Sequence, residues 1–183
     1  MNNGLISSAE AGVEIAKQES ADFEHLFTAQ WHRLVRILYR MTGNWSQAED
    51  IVQETFLRFH KRQHTLRNPA AWLYRVSLRL GLDALRGDRR RGRWEQTAFA
   101  SAHAPSTPDT HVQLAEQQEL VSRVLGRMSK RSAQLLVLRY SGLPFAEIAE
   151  IIGLKVSSVG TLLNRAELDF KKRYLKLSKG ARP

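Results

Sequence analysis

The chain has no cysteine among its 183 residues, which excludes disulfides and any thiolate-bound zinc or iron–sulfur centre. No apolar run approaches the length a bilayer-crossing helix needs. The N-terminal stretch MNNGLISSAEAGVEIAKQES lacks both the basic start and the apolar centre of a secretory signal, so a cytoplasmic location without membrane insertion is expected. Acid is also scarce: 18 Asp and Glu face 28 Lys and Arg, a formal net charge of +10. That excess favours a polyanionic partner, and nucleic acid is preferred to a membrane surface. There is no G-x-x-x-x-G-K-[ST] phosphate loop and no convincing nucleophile, base and acid constellation. His60 and His64 stand four apart, but they lack the glutamate of an HExxH pair and a third ligand. No catalytic residue, metal site or cofactor is expected.

What is present is helical. Hydrophobic residues make up 43% of the chain, enough for real cores, and neither half shows a convincing alternating strand pattern. Between Gly87 and about His111 the periodicity lapses: GDRRRGR passes into TAFASAHAPSTPDTH, with Pro105 and Pro108 among small polar residues. The fold class is therefore all-α, in two small helical domains joined by a flexible linker. The expected divisions are an N-terminal tail over 1–19, a first helical domain over 20–86, the linker over 87–111, a second domain over 112–177 and a basic tail over 178–183.

In the first domain, Phe23, Leu26, Phe27, Gln30, Trp31, Leu34, Val35 and Leu38 mark one amphipathic helix stopped near Gly43-Asn44. Ser46 and Glu49 have the spacing of a capping box at the start of the next. That second helix carries Ala48, Ile51, Val52, Thr55, Phe56 and Phe59 on its core side, with Asp50, Gln53, Glu54 and Lys61 opposite and Leu57 among them. A Leu ringed by acids and an amide on a basic protein reads either as a docking face for another protein or as an ordinary scattered apolar group. Asn68-Pro69 announces a third helix, a cap followed by a first-turn proline. Trp72, Leu73, Val76, Leu80 and Ala84 form its expected buried face, while Arg75, Arg79 and Arg86 make a stripe at spacings of four and seven. The stripe reads equally as a track for a phosphate backbone, with Trp72 stacking on a base, or as a solvated face with Trp72 in the core.

The second domain opens with Leu114, Leu120, Val121, Val124 and Leu125 as apolar contacts, followed by a helix capped by Ser129 and ended by Ser141-Gly142. Next comes FAEIAEIIGLKVSSVGTLLN, residues 145–164. Ile148, Ile152, Leu154, Val159 and Leu162 are its apolar contacts, Ala149 permits close helix approach and Gly153 suits a sharp turn, the pattern of a DNA-binding helix-turn-helix. Pro144 suits the first turn of its first helix. In the second, Val159, Leu162, Leu163, Ala166 and Phe170 make a buried stripe, and Ser157, Thr161, Asn164, Arg165 and Lys172 point the other way. A plain helical hairpin with a solvated polar face is the competing reading.

Taken in order, AEDIVQETFLRFHK, NPAAWLYRVSLRLGLDALR and LPFAEIAEIIGLKVSSVGTLLNRAE resemble the signature segments of a bacterial RNA polymerase sigma factor of the extracytoplasmic function (ECF) group. The resemblance spans about Ser20 to Tyr174. It implies a non-catalytic initiation factor with one domain for the −10 promoter element and one for the −35 element. Asp50, Gln53, Glu54 and Leu57 match the segment that grips the clamp helices of the large polymerase subunit. Arg62, Arg67, Asn68 and Trp72 match the part that captures flipped −10 bases, with Arg75, Arg79 and Arg86 holding the strand. Lys155, Ser157, Ser158, Thr161, Asn164 and Arg165 match the −35 reader. The linker matches a segment threaded toward the polymerase active centre. Implied partners are core RNA polymerase, promoter DNA and an anti-sigma factor. Arg79 stands where many members have Asn, Lys155 where Ser is frequent, Gly160 where Lys is frequent and Leu162 where Arg is usual. A two-domain helix-turn-helix regulator that never enters the polymerase is the alternative; a clamp-docking face joined to a melting loop is what separates the two.

Overall fold

A computed structural model describes the backbone of residues 3–62, 66–90 and 108–179, and within them the side chains of 23–62, 66–87 and 114–179. The described residues form seven helices: α1 (Asn3–Thr42), α2 (Trp45–His60), α3 (Pro69–Arg90), α4 (Pro108–Arg127), α5 (Lys130–Tyr140), α6 (Phe145–Ile152) and α7 (Val156–Lys179). The all-α class is as expected. The expected N-terminal tail differs: from Asn3 onward it is the beginning of α1. Its Ala, Glu, Lys and Gln content is that of a good helix, which outweighs its lack of a clear apolar stripe. Both linker boundaries also move inward, since α3 continues to Arg90 and α4 starts on Pro108. Proline is well suited to a first helical position. Residues 91–107, His64 and the end of the basic tail at 180–183 lie outside the described residues.

Helices α1 to α3 form the first unit. α1 ends where Gly43 takes a left-handed φ of 72°, and Asn44, extended at φ −126°, caps α2 by accepting from the Gln47 N–H at 2.9 Å. The expected Ser46–Glu49 capping box is thus corrected: Ser46 already lies inside α2. Asn is at least as good an N-cap as Ser, and its place directly after the glycine turn decides the register. The core face of α2 is the expected one, with Ala48, Ile51, Val52, Thr55, Phe56 and Phe59 buried. Asn68 caps α3 as expected, its Oδ1 accepting from Ala71 N–H at 2.9 Å. At Gly81 a Cβ would collide with Met41 Cε and crowd Leu38, so glycine permits the close crossing of α1 and α3.

Helices α4 to α7 form the second unit. Ser129 caps α5 as expected, accepting from Ser132 N–H at 3.1 Å. Leu114, expected to be a packing residue, is 55% exposed, whereas Val124 and Leu125 further along α4 are buried. The two units pack together into one continuous apolar core that runs from Leu34 and Phe59 through Leu82 and Leu85 to Val124, Met128 and Val159. This explains the burial of α3, which exceeds the single expected stripe. Leu73 and Val76 are buried as expected, Trp72, Leu80 and Ala84 only partly, and Leu78, Leu82 and Leu85 are buried as well. No helix among the described residues is long and apolar enough to cross a membrane.

Candidate polymerase-docking and DNA-contacting surfaces

Three surfaces carry the residues singled out in the sequence. On α2, Asp50, Gln53, Glu54 and Leu57 are all exposed, and Leu57, a large apolar side chain, is 56% exposed. Their common orientation follows from helical spacing against the buried face opposite. Arg58 Nε donates to Glu54 Oε1 at 2.6 Å along the same helix. Beside Leu57 lies a hollow of about 320 Å³ lined by Phe23, Phe27 and Trp31 of α1 and by Gln53, Phe56, Leu57 and His60 of α2. Helical periodicity places these α1 aromatics on an amphipathic stripe but does not by itself join them to the α2 face. Their four-residue spacing was the available signal, and Phe27 is in fact 37% exposed.

The second surface follows the start and one side of α3. Arg62, Arg67, Arg75 and Arg79 are exposed, and Asn68, Trp72 and Arg86 are partly buried. Trp72 packs on the core with its ring centroid 6.1 Å from that of Phe59. It therefore lies at the margin between core and surface. The stripe is in contact with the second unit. Arg75 Nε donates to Ile151 O at 2.9 Å and Arg86 Nη2 donates to Met128 O at 2.9 Å. Asn68 Nδ2 donates to Glu150 Oε1. Tyr74, on the neighbouring face, has its phenol pushed up by burial, an effect opposed by Arg33 and reinforced by Glu147.

The third surface is the helix-turn-helix of α6 and α7. Gly153 takes a left-handed φ of 75° and Leu154 N–H returns to Ala149 O at 2.8 Å, which closes the turn between the helices. Ala149 is 3% exposed, and Ile148 and Val159 are fully buried, so the close helix contact is as expected. Pro144 sits one position earlier than expected, as the extended N-cap with no side-chain bond. Lys155 precedes α7, its carbonyl accepting from Ser158 N–H at 2.9 Å. Lys155, Ser157, Thr161, Asn164 and Arg165 are exposed on one side of α7, and Ser158 is half-buried. Val159, Leu163 and Ala166 are buried on the other, with Leu162 and Phe170 partly so. A cationic and hydrogen-bonding helix face held by a rigid turn has the chemistry needed to enter a major groove.

Known proteins share this arrangement. The family descriptions "Sigma-70 region 2" and "Sigma-70, region 4" match residues 26–91 and 118–169, which span most of α1 to α3 and α4 to α7 respectively. The ECF RNA polymerase sigma factor SigL of Mycobacterium tuberculosis is 31% identical over 82% of this chain and 88% of its own length. SigJ of the same species is 32% identical over 76% of this chain, and RNA polymerase sigma factor YlaC of Bacillus subtilis 25% over 84%. The match spans 92% of YlaC but only 47% of SigJ, and 40% of the probable sigma factor RfaY of Xanthomonas campestris. Among solved structures, CnrH in complex with the cytosolic domain of CnrY shares the fold at a TM-score of 0.55 and 20% identity, covering 91% of this chain and 96% of that one. RpoE of Bartonella quintana, solved with the anti-sigma factor NepR, does so at 0.51 and 21%, covering 88% and 99%. With both regions matched in order, and with SigL alike over most of both chains, this chain belongs to the ECF group of sigma-70 RNA polymerase sigma factors.

Proposed function

We propose that the chain binds core RNA polymerase and directs it to specific promoters, with no catalytic chemistry of its own. The observation that carries this reading is the α2 face, where Asp50, Gln53, Glu54 and Leu57 stand exposed together within the region 2 match. A regulator acting through its helix-turn-helix alone has no use for such a face. In this reading the clamp helices of the large polymerase subunit dock there. Arg62, Arg67, Asn68 and Trp72 then receive the melted −10 strand, Arg75, Arg79 and Arg86 hold it, and the exposed side of α7 reads the −35 element. Unstacking a base costs a few kcal/mol, which stacking and a pocket offset. Replacement of Asn by Arg at position 79 shifts that contact toward phosphate. The protein acts where the polymerase does, in the cytoplasm. An anti-sigma factor that withholds it is also part of the reading, supported by the two fold neighbours solved with CnrY and NepR.

The test is transcription by sigma-free core polymerase plus purified chain on a library of promoter fragments. Specific transcript starts that depend on the chain are expected; tight DNA binding that never programs the polymerase would sink the reading in favour of the regulator. In the same assay Asp50→Ala with Leu57→Ala should abolish polymerase binding, a loss of about 2 kcal/mol or more for a central interface pair, without changing helical content. Undiminished binding would move the docking site elsewhere.

A further inference from the structure

The space between the last turn of α1 and the second unit is not filled by side chains. A cavity of about 420 Å³ lies there, walled by Met41 of α1, Val121 and Leu125 of α4, Leu136 and Val137 of α5 and Phe170 of α7. Met41, Leu125, Leu136 and Val137 are buried, and Val121 and Phe170 are half-buried against the core, so these walls are core and not loose surface side chains. Protein interiors close most spaces larger than a water molecule, because an unfilled one forfeits dispersion contacts. This one persists, and its volume falls within the range of about 300–1,000 Å³ that small-molecule sites occupy. None of the residues assigned above to polymerase or DNA lines it.

The rim has a different chemistry from the walls. Arg40, Tyr140 and Lys171 stand exposed there, with half-buried Glu167 beside them. The Tyr140 phenol donates to Glu167 Oε1 at 3.3 Å, so that carboxylate is already engaged. The cations are not. Arg40 makes one long contact, Nη1 donating to Tyr140 O at 3.5 Å, and neither it nor Lys171 has an acidic partner among the described residues. Two cations against one carboxylate leave the rim positive above an apolar interior. A nucleotide finds an apolar wall where its base and sugar need hydrogen-bond partners, and a cationic amphiphile meets two like charges. We propose that this cavity is a binding site for a small monoanionic amphiphile, a free medium-chain carboxylate, whose chain lies against Met41, Leu125 and Phe170 and whose head meets Arg40 and Lys171. Arg40 and Met41 belong to the first unit and the other walls to the second, so an occupied cavity bridges the two and should raise the thermal midpoint with ligand concentration.

The full chain is titrated calorimetrically with hexanoate, octanoate, decanoate and dodecanoate, each kept below the concentration at which it forms micelles. Decanol and decyltrimethylammonium serve as the uncharged and oppositely charged counterparts. Binding of one carboxylate per protein molecule should strengthen about fourfold for each added methylene and then level off once the cavity is full. Arg40→Gln with Lys171→Gln should weaken decanoate binding about tenfold or more and decanol binding by less than about twofold. Val121→Trp, which fills the cavity from a half-buried wall, should abolish both. The charge pair lies on the surface, so its result stands even where the tryptophan variant does not fold. No saturable binding by any of the carboxylates, the result expected if an apolar side chain of a partner protein is the true occupant, would overturn the proposal. So would affinity that climbs with chain length without a plateau, equal binding of decanoate and decyltrimethylammonium, or decanoate binding left unchanged by the charge-pair variant or by folded Val121→Trp.

Discussion

Gly160 is a costly residue in the second turn of α7, where glycine gives up about 0.5–1 kcal/mol of helix stability relative to alanine. Internal packing does not demand it. A Cβ there would rest 3.6 Å from the Phe145 ring, an ordinary contact. The reason we propose for a bare position beside Thr161 and Ser157 is close approach of a DNA backbone. Gly160→Ala should therefore raise the stability of the protein by about 0.5–1 kcal/mol in denaturant titration while weakening promoter binding. A variant that is stabilised and binds promoter DNA as before removes that reason. Gly81 is the opposite case, since Met41 Cε already fills the space its side chain would need.

At the scale of the helix, caps decide where α2 begins. Asn44 Oδ1 holds the Gln47 N–H, whereas Ser46 lies within the first turn and caps nothing. Asn44→Ala should cost about 1 kcal/mol of stability and Ser46→Ala a few tenths at most, read as shifts in the thermal midpoint. The reverse order would restore the Ser46–Glu49 box. Much of α2 was legible because its buried and exposed residues alternate with the helical period, so Ile51 and Phe56 on one side and Asp50 and Leu57 on the other followed from spacing alone. The cap was not, because two acceptable N-cap residues stand two apart and only the turn made by Gly43 selects between them. Less of α3 was legible. Leu78, Leu82 and Leu85 look surplus to a single stripe, and Leu85 lies against Gly126 of α4, in a unit beyond the linker in sequence. The Phe23, Phe27 and Trp31 side of the hollow was missed for a similar reason: a groove belongs to two helices, and a period reports on one.

The whole molecule has its tryptophans at positions 31, 45, 72 and 94, so none lies in the helix-turn-helix unit. Tryptophan fluorescence therefore follows the first half of the chain, and far-ultraviolet circular dichroism follows both halves. Because one core runs through both, their thermal midpoints should coincide, as for a cooperative single transition. Two separated midpoints would mean that the units are energetically independent. Under the proposed assignment of α3 and α7 to the two promoter elements, the two units must part for the chain to span a promoter. Elements centred near −35 and −10 are roughly 85 Å apart along B-form DNA at about 3.4 Å per base pair, while α3 and α6 touch.

Helices α3 and α4 meet where the two halves join, and Leu82, Leu85, Val124 and Met128 on or just beyond them are each at most 2% exposed. Parting the halves puts that greasy seam into water, and transiently opened apolar segments are where proteases cut and aggregation begins. The joint between the halves therefore sets how long an opened copy resists a protease, a lifetime that limited proteolysis reads directly.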